Sequence, residues 1–327
     1  MRTFSVVVPV FENEANLPDT VPKLLGLQAR LPSYRLEIVF VEDGSRDRSL
    51  ALLREYASQH SDTIRVVKLT RNFGQTPAIQ AGLRHATGNC VGIISADLQE
   101  PYEQFVDMVR VWESGEKFVI GERRAREEGR VHQFVSNLFW SMTRRLALPE
   151  YPSMGYDFCL LDRQIVDDIN HINEKNSSIF ALIYWLGYRP VRLPIVRQIR
   201  TRGVSQWRLS TKLAFTVDTL IGFTYLPARV ITGMGALTAL ICVAYAALSL
   251  VVWWTWRTAP PGWMAIVILV TLLGSMILVA LGIVSEYLLR ILDEARKRPP
   301  YVVHEIIGAG VAPRTNEASP AAAATER

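Results

Sequence analysis

Five short segments collect the residue types that bind phosphates and hard cations. In chain order they are Pro9-Val10-Phe11-Glu12-Asn13-Glu14, Glu42-Asp43-Gly44-Ser45-Arg46-Asp47, Arg71-Asn72-Phe73-Gly74, Ser95-Ala96-Asp97-Leu98-Gln99-Glu100-Pro101 and Gly121-Glu122-Arg123-Arg124. Asp97, with a second oxygen ligand two positions on at Gln99, can hold a divalent cation against a diphosphate. Such a cation neutralises a phosphate leaving group, which is where charge develops in glycosyl or nucleotidyl transfer. Each segment alone is ambiguous: Asp-x-Gln is common in helix caps, and Asp43-Gly44-Ser45 reads equally as a turn or an N-cap.

The elements that must position these segments alternate between two periods. Phe4–Val8, Leu36–Val41, Ile64–Leu69, Cys90–Ile94 and Phe118–Ile120 are short apolar runs rich in β-branched residues, the signature of buried strands. Helical stretches lie between them, near Ala15–Gln28, Ser49–Ser58, Pro77–Ala86 and Pro101–Glu113, with Pro101 suited to a first helical turn. Strands alternating with helices imply an α/β, mostly parallel sheet covered on both faces. In such sheets ligands bind at the carboxyl ends of the strands, and all five polar segments fall there.

The last third of the chain changes character. Val230–Trp256 and Trp263–Ser285 contain no Asp, Glu, Lys or Arg, and each exceeds the roughly 20 apolar residues that cross a hydrocarbon core. The expectation is a transmembrane hairpin, with Trp253, Trp254, Trp256 and Trp263 crowding its outer turn as interface aromatics do. Arg208, Lys212 and Arg229 precede the first span, and Arg290, Arg296, Lys297 and Arg298 follow the second. The positive-inside rule puts both termini in the cytoplasm of what would be a multi-pass membrane protein. Seven basic residues and no acidic one lie from Arg189 to Lys212. They read either as a solvated face or as a site for anionic lipid headgroups, each cation contributing about 1 kcal/mol near the surface. Leu209, Leu213, Val217, Leu220 and Ile221 recur at helical spacing, as in a helix lying in the membrane interface. The domain reading is 1–206 as a cytoplasmic sheet domain, 207–228 as an interfacial segment, and 229–290 as the hairpin with spans near 230–256 and 263–286. Residues 291–327 read as a cytoplasmic tail, disordered after about 308.

Composition removes other classes. Hydrophobic residues make up 49% of the 327 and charged ones 20%, which excludes a disordered chain. The 36 Lys and Arg and 31 Asp and Glu are too many for a fully membrane-embedded one. Net charge is +5, pointing only to acidic partners. Nucleic acid is a poor partner, because the basic cluster adjoins an apolar span and lacks interleaved aromatics. Cys90, Cys159 and Cys242 are far apart and read as buried, reduced thiols. The N-terminus has no apolar run long enough for a secretory signal.

Taken in order, the first four of these segments resemble glycosyltransferase family 2, and within it the polyprenyl-phosphate glycosyltransferases, bacterial relatives of dolichyl-phosphate mannose synthase. Gly155-Tyr156-Asp157-Phe158 with Leu161-Asp162-Arg163, Arg200-Thr201-Arg202-Gly203-Val204-Ser205-Gln206-Trp207 and Arg298-Pro299-Pro300-Tyr301 extend the resemblance over about residues 4 to 306. It implies a GT-A fold and inverting transfer of a monosaccharide from a UDP- or GDP-linked sugar to a polyprenyl phosphate such as undecaprenyl phosphate, in cell-envelope or lipopolysaccharide biosynthesis. Pro9, Phe11, Glu14, Asp43, Gly44, Ser45, Arg71, Asp97 and Arg123 would bind the nucleotide sugar. Asp97 and Gln99 would hold Mg²⁺ or Mn²⁺, and Ser136, Arg200, Arg202 and Ser205 would face the acceptor phosphate. Asp97 and Asp157 would be catalytic, Asp157 either as a base or as an orienting group. The chain departs from the family at Ser95, usually acidic, and at Gln206, usually Lys. The resemblance also implies a homotetramer, whereas Gly233, Gly235 and Gly274 only permit helix packing. Two other readings are a processive polysaccharide synthase, which needs more membrane helices, and a non-catalytic membrane scaffold of the same fold.

Overall fold

The computed structural model describes residues 1–123, 156–172, 178–196, 226–256 and 262–308. Two compact units divide the chain: residues 1–140, 150–206 and 299–327 form the first, and 141–149 with 207–298 the second.

The first unit is built on an eight-stranded sheet: β1 (Arg2–Val10), β2 (Tyr34–Glu42), β3 (Ile64–Leu69), β4 (Cys90–Ile93), β5 (Phe118–Arg123), β6 (Cys159–Asp162), β7 (Val191–Ile195) and β8 (Val303–Ile307). Their order across the sheet is β7-β5-β6-β4-β1-β2-β3-β8. Strands β1 to β4 run parallel, β6 lies antiparallel between β4 and β5, β7 is parallel to β5, and β8 is antiparallel to β3. The α/β, mostly parallel sheet expected from the alternating pattern is therefore observed. Strands β6, β7 and β8 were not anticipated as strands. Arg192 and Pro194 interrupt the apolar run of β7, and His304 and Glu305 that of β8, while β6 is a four-residue run ending in Asp162. Val191–Ile195 belongs to the stretch read as lipid-facing, yet it pairs in the sheet, and Arg192 Nη1 lies 3.3 Å from Glu122 Oε1.

Helices α1 (Leu17–Leu25), α2 (Leu27–Arg30), α3 (Ser49–Gln59), α4 (Gln75–His85), α5 (Phe105–Glu113), α6 (Arg163–His171) and α7 (Ile179–Trp185) complete this unit. Ala15–Gln28, expected as one helix, is broken at Gly26, and Pro101 precedes a 3₁₀ turn, Tyr102–Gln104, rather than opening α5. The strand runs are continuous because both faces are covered: Phe4, Val6, Val7, Val8 and Val10 are all fully buried. Phe105 packs 5.4 Å from the Phe4 ring and 4.7 Å from that of Phe158, centroid to centroid. Its ring lies over Gly92, where any Cβ would overlap it. Cys90 and Cys159 are buried free thiols.

At the amino edge of the sheet, a buried polar cluster anchors the far end of α4. Glu37 Oε2 accepts from the Ser5 hydroxyl (2.5 Å) and the Thr87 amide (2.8 Å), while Arg65 Nη1 donates to the His85 carbonyl (2.6 Å). The Arg163 guanidinium reaches the carbonyls of Ala86 and Gly88 at the same edge, and Asp162 caps α6 through the Gln164 amide.

The second unit contains α8 (Leu226–Trp256) and α9 (Trp263–Ala295), which meet where Thr238 Oγ1 lies 3.0 Å from Met276 Sδ. Many large apolar side chains on these helices face outward, among them Leu240, Leu278 and Trp254 at 66%, 71% and 78% exposure. Among the described residues, one helical window is long and apolar enough to cross a membrane, Leu272–Leu289, with mean hydropathy 2.0 and no part buried; Ile231–Tyr245 is a shorter apolar stretch.

Candidate active site

The order of the sheet creates a crevice. From β1 the chain moves to β2 and β3 on one side and then returns to β4 on the other, so the crossover direction reverses between β1 and β4. Ligands bind at such a switch point, outside the carboxyl ends of the strands. Pro9 marks the opening. Val7 bonds toward β4, its carbonyl accepting from Ile94, whereas the Val10 carbonyl faces β2 and accepts from Asp43. By strand alternation the absent N–H of Pro9 points to the β4 side, and pairing of β4 with β1 ends at Ile93 opposite Val7. Just past this point, two residues other than glycine adopt left-handed backbone, Glu12 at φ 51° and Leu98 at φ 44°. Strain of this kind concentrates at functional sites.

Topology brings further groups to the same edge. Asp43 follows Glu42, which pairs with Val10, and Arg71 follows β3. Cys159, at the start of β6, pairs with Ile93 and Ile120, so Asp157 stands at the carboxyl edge of β4. The ends of β4 and β2 are separated by two strand spacings, about 10 Å. Arg123 ends β5, with its backbone opposite Ile195.

The loops after β1 and β2 are stitched together reciprocally. Backbone amides of Glu12, Asn13 and Glu14 donate to the side chains of Ser45 (3.1 Å), Ser49 (3.0 Å) and Asp47 (3.0 Å), and the Arg48 amide donates back to Glu14 Oε2 (2.8 Å). Burial works against the Asp47 carboxylate, but bonds from Ser49 and the Glu14 amide outweigh it and lower its pKa. Glu14 and Ser45, expected on the nucleotide, thus spend these hydrogen bonds on fixing the loops.

Asp43 does the same for the loop after β3. It is 3% exposed, and its two oxygens accept from the amides of Phe73 (2.7 Å) and Gly74 (2.9 Å). Desolvation dominates these bonds and raises its pKa to about 6. Gly44 lets the two loops touch: it adopts φ 71°, and a Cβ would lie 2.5 Å from the Arg71 carbonyl carbon and the Asn72 nitrogen. Arg71 is exposed, with its guanidinium 4.1 Å from the Phe73 ring centroid, and Pro9 and Phe11 are half-buried.

Beside Asp97 the structure gathers oxygens that the sequence reading had not assigned. Ser95 Oγ lies 2.7 Å from Asp97 Oδ1 and 2.7 Å from Glu100 Oε2, and Glu100 is 1% exposed. Gln99 is buried, and its backbone amide is 3.5 Å from Asp97 Oδ1. The Thr20 hydroxyl fixes this loop by donating to the Ala96 carbonyl at 2.7 Å. Glu100 stands in the motif, but only a folded turn returns it to within a hydrogen bond of Ser95. Ser136, Arg200, Arg202 and Ser205, and the interfacial stretch Trp207–Phe223, lie outside the described residues.

A mostly parallel α/β sheet with a switch-point crevice is an architecture that takes ligands, nucleotides among them, at the carboxyl ends of its strands. Residues 5–169 match the description "Glycosyl transferase family 2". Over 305 residues the chain is 33% identical to an uncharacterized glycosyltransferase of Synechocystis sp., covering 93% of this chain and 95% of the relative. It is 30% identical over 301 residues to the bactoprenol glucosyl transferase of Shigella phage SfV, covering 91% and 97% respectively. Among solved structures it is similar to a Pyrobaculum calidifontis mannosyltransferase in complex with GDP-Man and Mn²⁺, at 16% identity and TM-score 0.44, covering 76% of this chain and 81% of that one. The chain belongs to glycosyl transferase family 2. It is a glycosyltransferase.

Proposed function

We propose that the protein transfers a hexosyl residue, with inversion, from a nucleotide sugar to undecaprenyl phosphate at the cytoplasmic face of a bacterial inner membrane. The observation that carries this reading is the likeness to bactoprenol glucosyl transferases along more than nine-tenths of both chains, helices α8 and α9 included. The exposed apolar faces of those helices support a lipid environment. So does the topology of the chain. Strands β1 to β7 precede α8, and β8 follows α9, yet all share one sheet. A chain that enters a bilayer after β7 and pairs again at β8 must cross it an even number of times, as a two-helix hairpin does.

The donor binds in the β1–β4 crevice, with its base and ribose against the joined Pro9–Glu14 and Glu42–Ser45 loops and its phosphates toward Asp97, Arg71 and Arg123. The oxygens placed beside Asp97 are hydroxyl and carboxylate, hard ligands that suit Mg²⁺ or Mn²⁺ rather than a softer metal. Bound by Asp97 and Gln99, such a cation supplies charge neutralisation to the departing nucleoside diphosphate. The acceptor phosphate, held by Ser136, Arg200, Arg202 and Ser205, has a second pKa near 6 and is largely ionised at neutral pH. Its oxygen therefore attacks the anomeric carbon without a strong base, and Asp157, at the same sheet edge, orients the reactants. The test is a screen of radiolabelled UDP- and GDP-sugars with undecaprenyl phosphate, with and without EDTA. The expected result is one lipid-linked monosaccharide, lost on chelation. A folded protein that yields no lipid-linked product from any donor overturns the reading.

A further inference from the structure

Residues beyond α9 read from sequence as a tail, yet they run back along the whole of β3. At one end Ile307 pairs with Val66, and Gly308, at φ 91°, lies so close to the start of β3 that any Cβ would overlap the Ile64 carbonyl oxygen. At the other end the pairing outruns the strand. The amide of Thr70, one residue past β3, donates to the Val302 carbonyl at 3.0 Å. Shielding the edge of β3 needs only a regular ladder. This one carries a bulge: Lys68 pairs with Glu305 and Leu69 with Val303, so His304 is an extra residue. Bulges re-aim the chain beside them and recur next to active sites. Without the extra residue Val303, not Val302, would stand opposite Thr70. One position earlier, the half-buried Tyr301 takes a hydrogen bond from Arg84 of α4, the helix that the Arg71–Gly74 loop leads into.

That loop is therefore held from two sides. Asp43 takes the amides of Phe73 and Gly74 from the β2 side, and Val302 takes that of Thr70 from the β8 side. Arg71, exposed, stands between the two anchors. We infer that the chain after α9 is a working part of the donor site, with Val302, set in register by the bulge at His304, as the positioning residue that aims Arg71 at the donor diphosphate. Val302 acts through the Thr70 backbone and not by contact with the donor. The inference rests on the reading of Arg71 as a donor-binding cation. It makes donor affinity depend on a segment more than two hundred residues beyond that arginine.

The experiment titrates UDP and GDP into the full chain in detergent by calorimetry, with Mn²⁺ present, and follows thermal unfolding of each variant. Deleting His304 restores a regular ladder and moves Val302 off Thr70, whereas His304→Ala keeps the extra residue. Glu305→Ala loosens the same strand at its pair with Arg54, away from the loop. The deletion should weaken binding of the preferred nucleotide about tenfold, the loss of one hydrogen bond to a charged group. His304→Ala and Glu305→Ala should bind like wild type. In an Arg71→Ala background the deletion should weaken binding no further, because the strap acts through Arg71. Should the deletion fail to fold, Thr70→Pro, which removes the amide that Val302 accepts, gives the same comparison. Wild-type affinity in the deletion overturns the inference, and so does a loss that persists in the Arg71→Ala background or is matched by Glu305→Ala. If Arg71→Ala alone binds like wild type, it is the assignment of Arg71 to the donor that fails, which separates the two conclusions.

Discussion

Replacing Asp43 with Asn tests the clamp between the loops after β2 and β3. Both carboxylate oxygens accept backbone amides, from Phe73 at 2.7 Å and Gly74 at 2.9 Å. Asn keeps one acceptor and sets its NH₂ against the other amide, a loss of about 1–3 kcal/mol. It also removes a buried charge whose burial raises the pKa from 3.8 to about 6, a relief of about 3 kcal/mol at neutral pH. The two effects nearly cancel at pH 7.5, so Asp43→Asn should melt within a few degrees of wild type there. The pH dependence separates them. Because the folded pKa lies above the unfolded one, the Asp43 contribution is fully present below 3.8 and is lost as pH rises through about 6. Between pH 7.5 and pH 5.0 wild type therefore regains about 1.4 kcal/mol that the Asn variant cannot. That corresponds to roughly 3–6 °C for a domain of this size. Thermal unfolding of both full-length proteins in detergent at the two pH values measures the gap. A gap that stays constant, or that widens in favour of the variant at pH 5.0, refutes the buried-carboxylate clamp.

Four other perturbations follow from the same geometry. Gly44→Ala forces a Cβ into left-handed backbone and onto the Arg71–Asn72 peptide; it should cost at least about 2 kcal/mol and weaken nucleotide binding, read by thermal unfolding and by calorimetry with UDP and GDP. Phe105→Ala empties the space between Phe4 and Phe158 over Gly92 and should cost about 3–5 kcal/mol by the same unfolding measurement, whereas Glu305→Ala, which breaks the exposed pair with Arg54 at 2.6 Å, should cost less than about 1 kcal/mol. Single cysteines placed before α8 and after α9 should react with a membrane-impermeant thiol reagent from the same side of sealed vesicles; labelling from opposite sides would rule out an even number of crossings.

What the sequence determined on its own was the local content. Continuous apolar runs bounded by charge read as strands because a parallel sheet buries both faces, and β1 to β5 appear where those runs lie. The acidic and Gly-containing segments at the ends of these strands followed from the same pattern, and so did the uncharged stretches now seen as α8 and α9. The tertiary structure decided which residues meet. Strand order places the crevice between β1 and β4 and lets Pro9 stand in a central strand without a lost hydrogen bond. It also inserts β6 antiparallel and so carries Asp157 to the edge that bears Asp97. Glu14, Ser45 and Asp43 read as ligand contacts by type; that their oxygens also accept from backbone amides of neighbouring loops is a tertiary fact no spacing shows. Glu100 lies only five residues from Ser95, yet its hydrogen bond depends on a left-handed turn at Leu98 that no local preference for leucine foretells. β8 pairs with β3 across more than two hundred residues of sequence. Such pairings arise from long-range hydrogen bonding and burial, which local residue patterns do not encode.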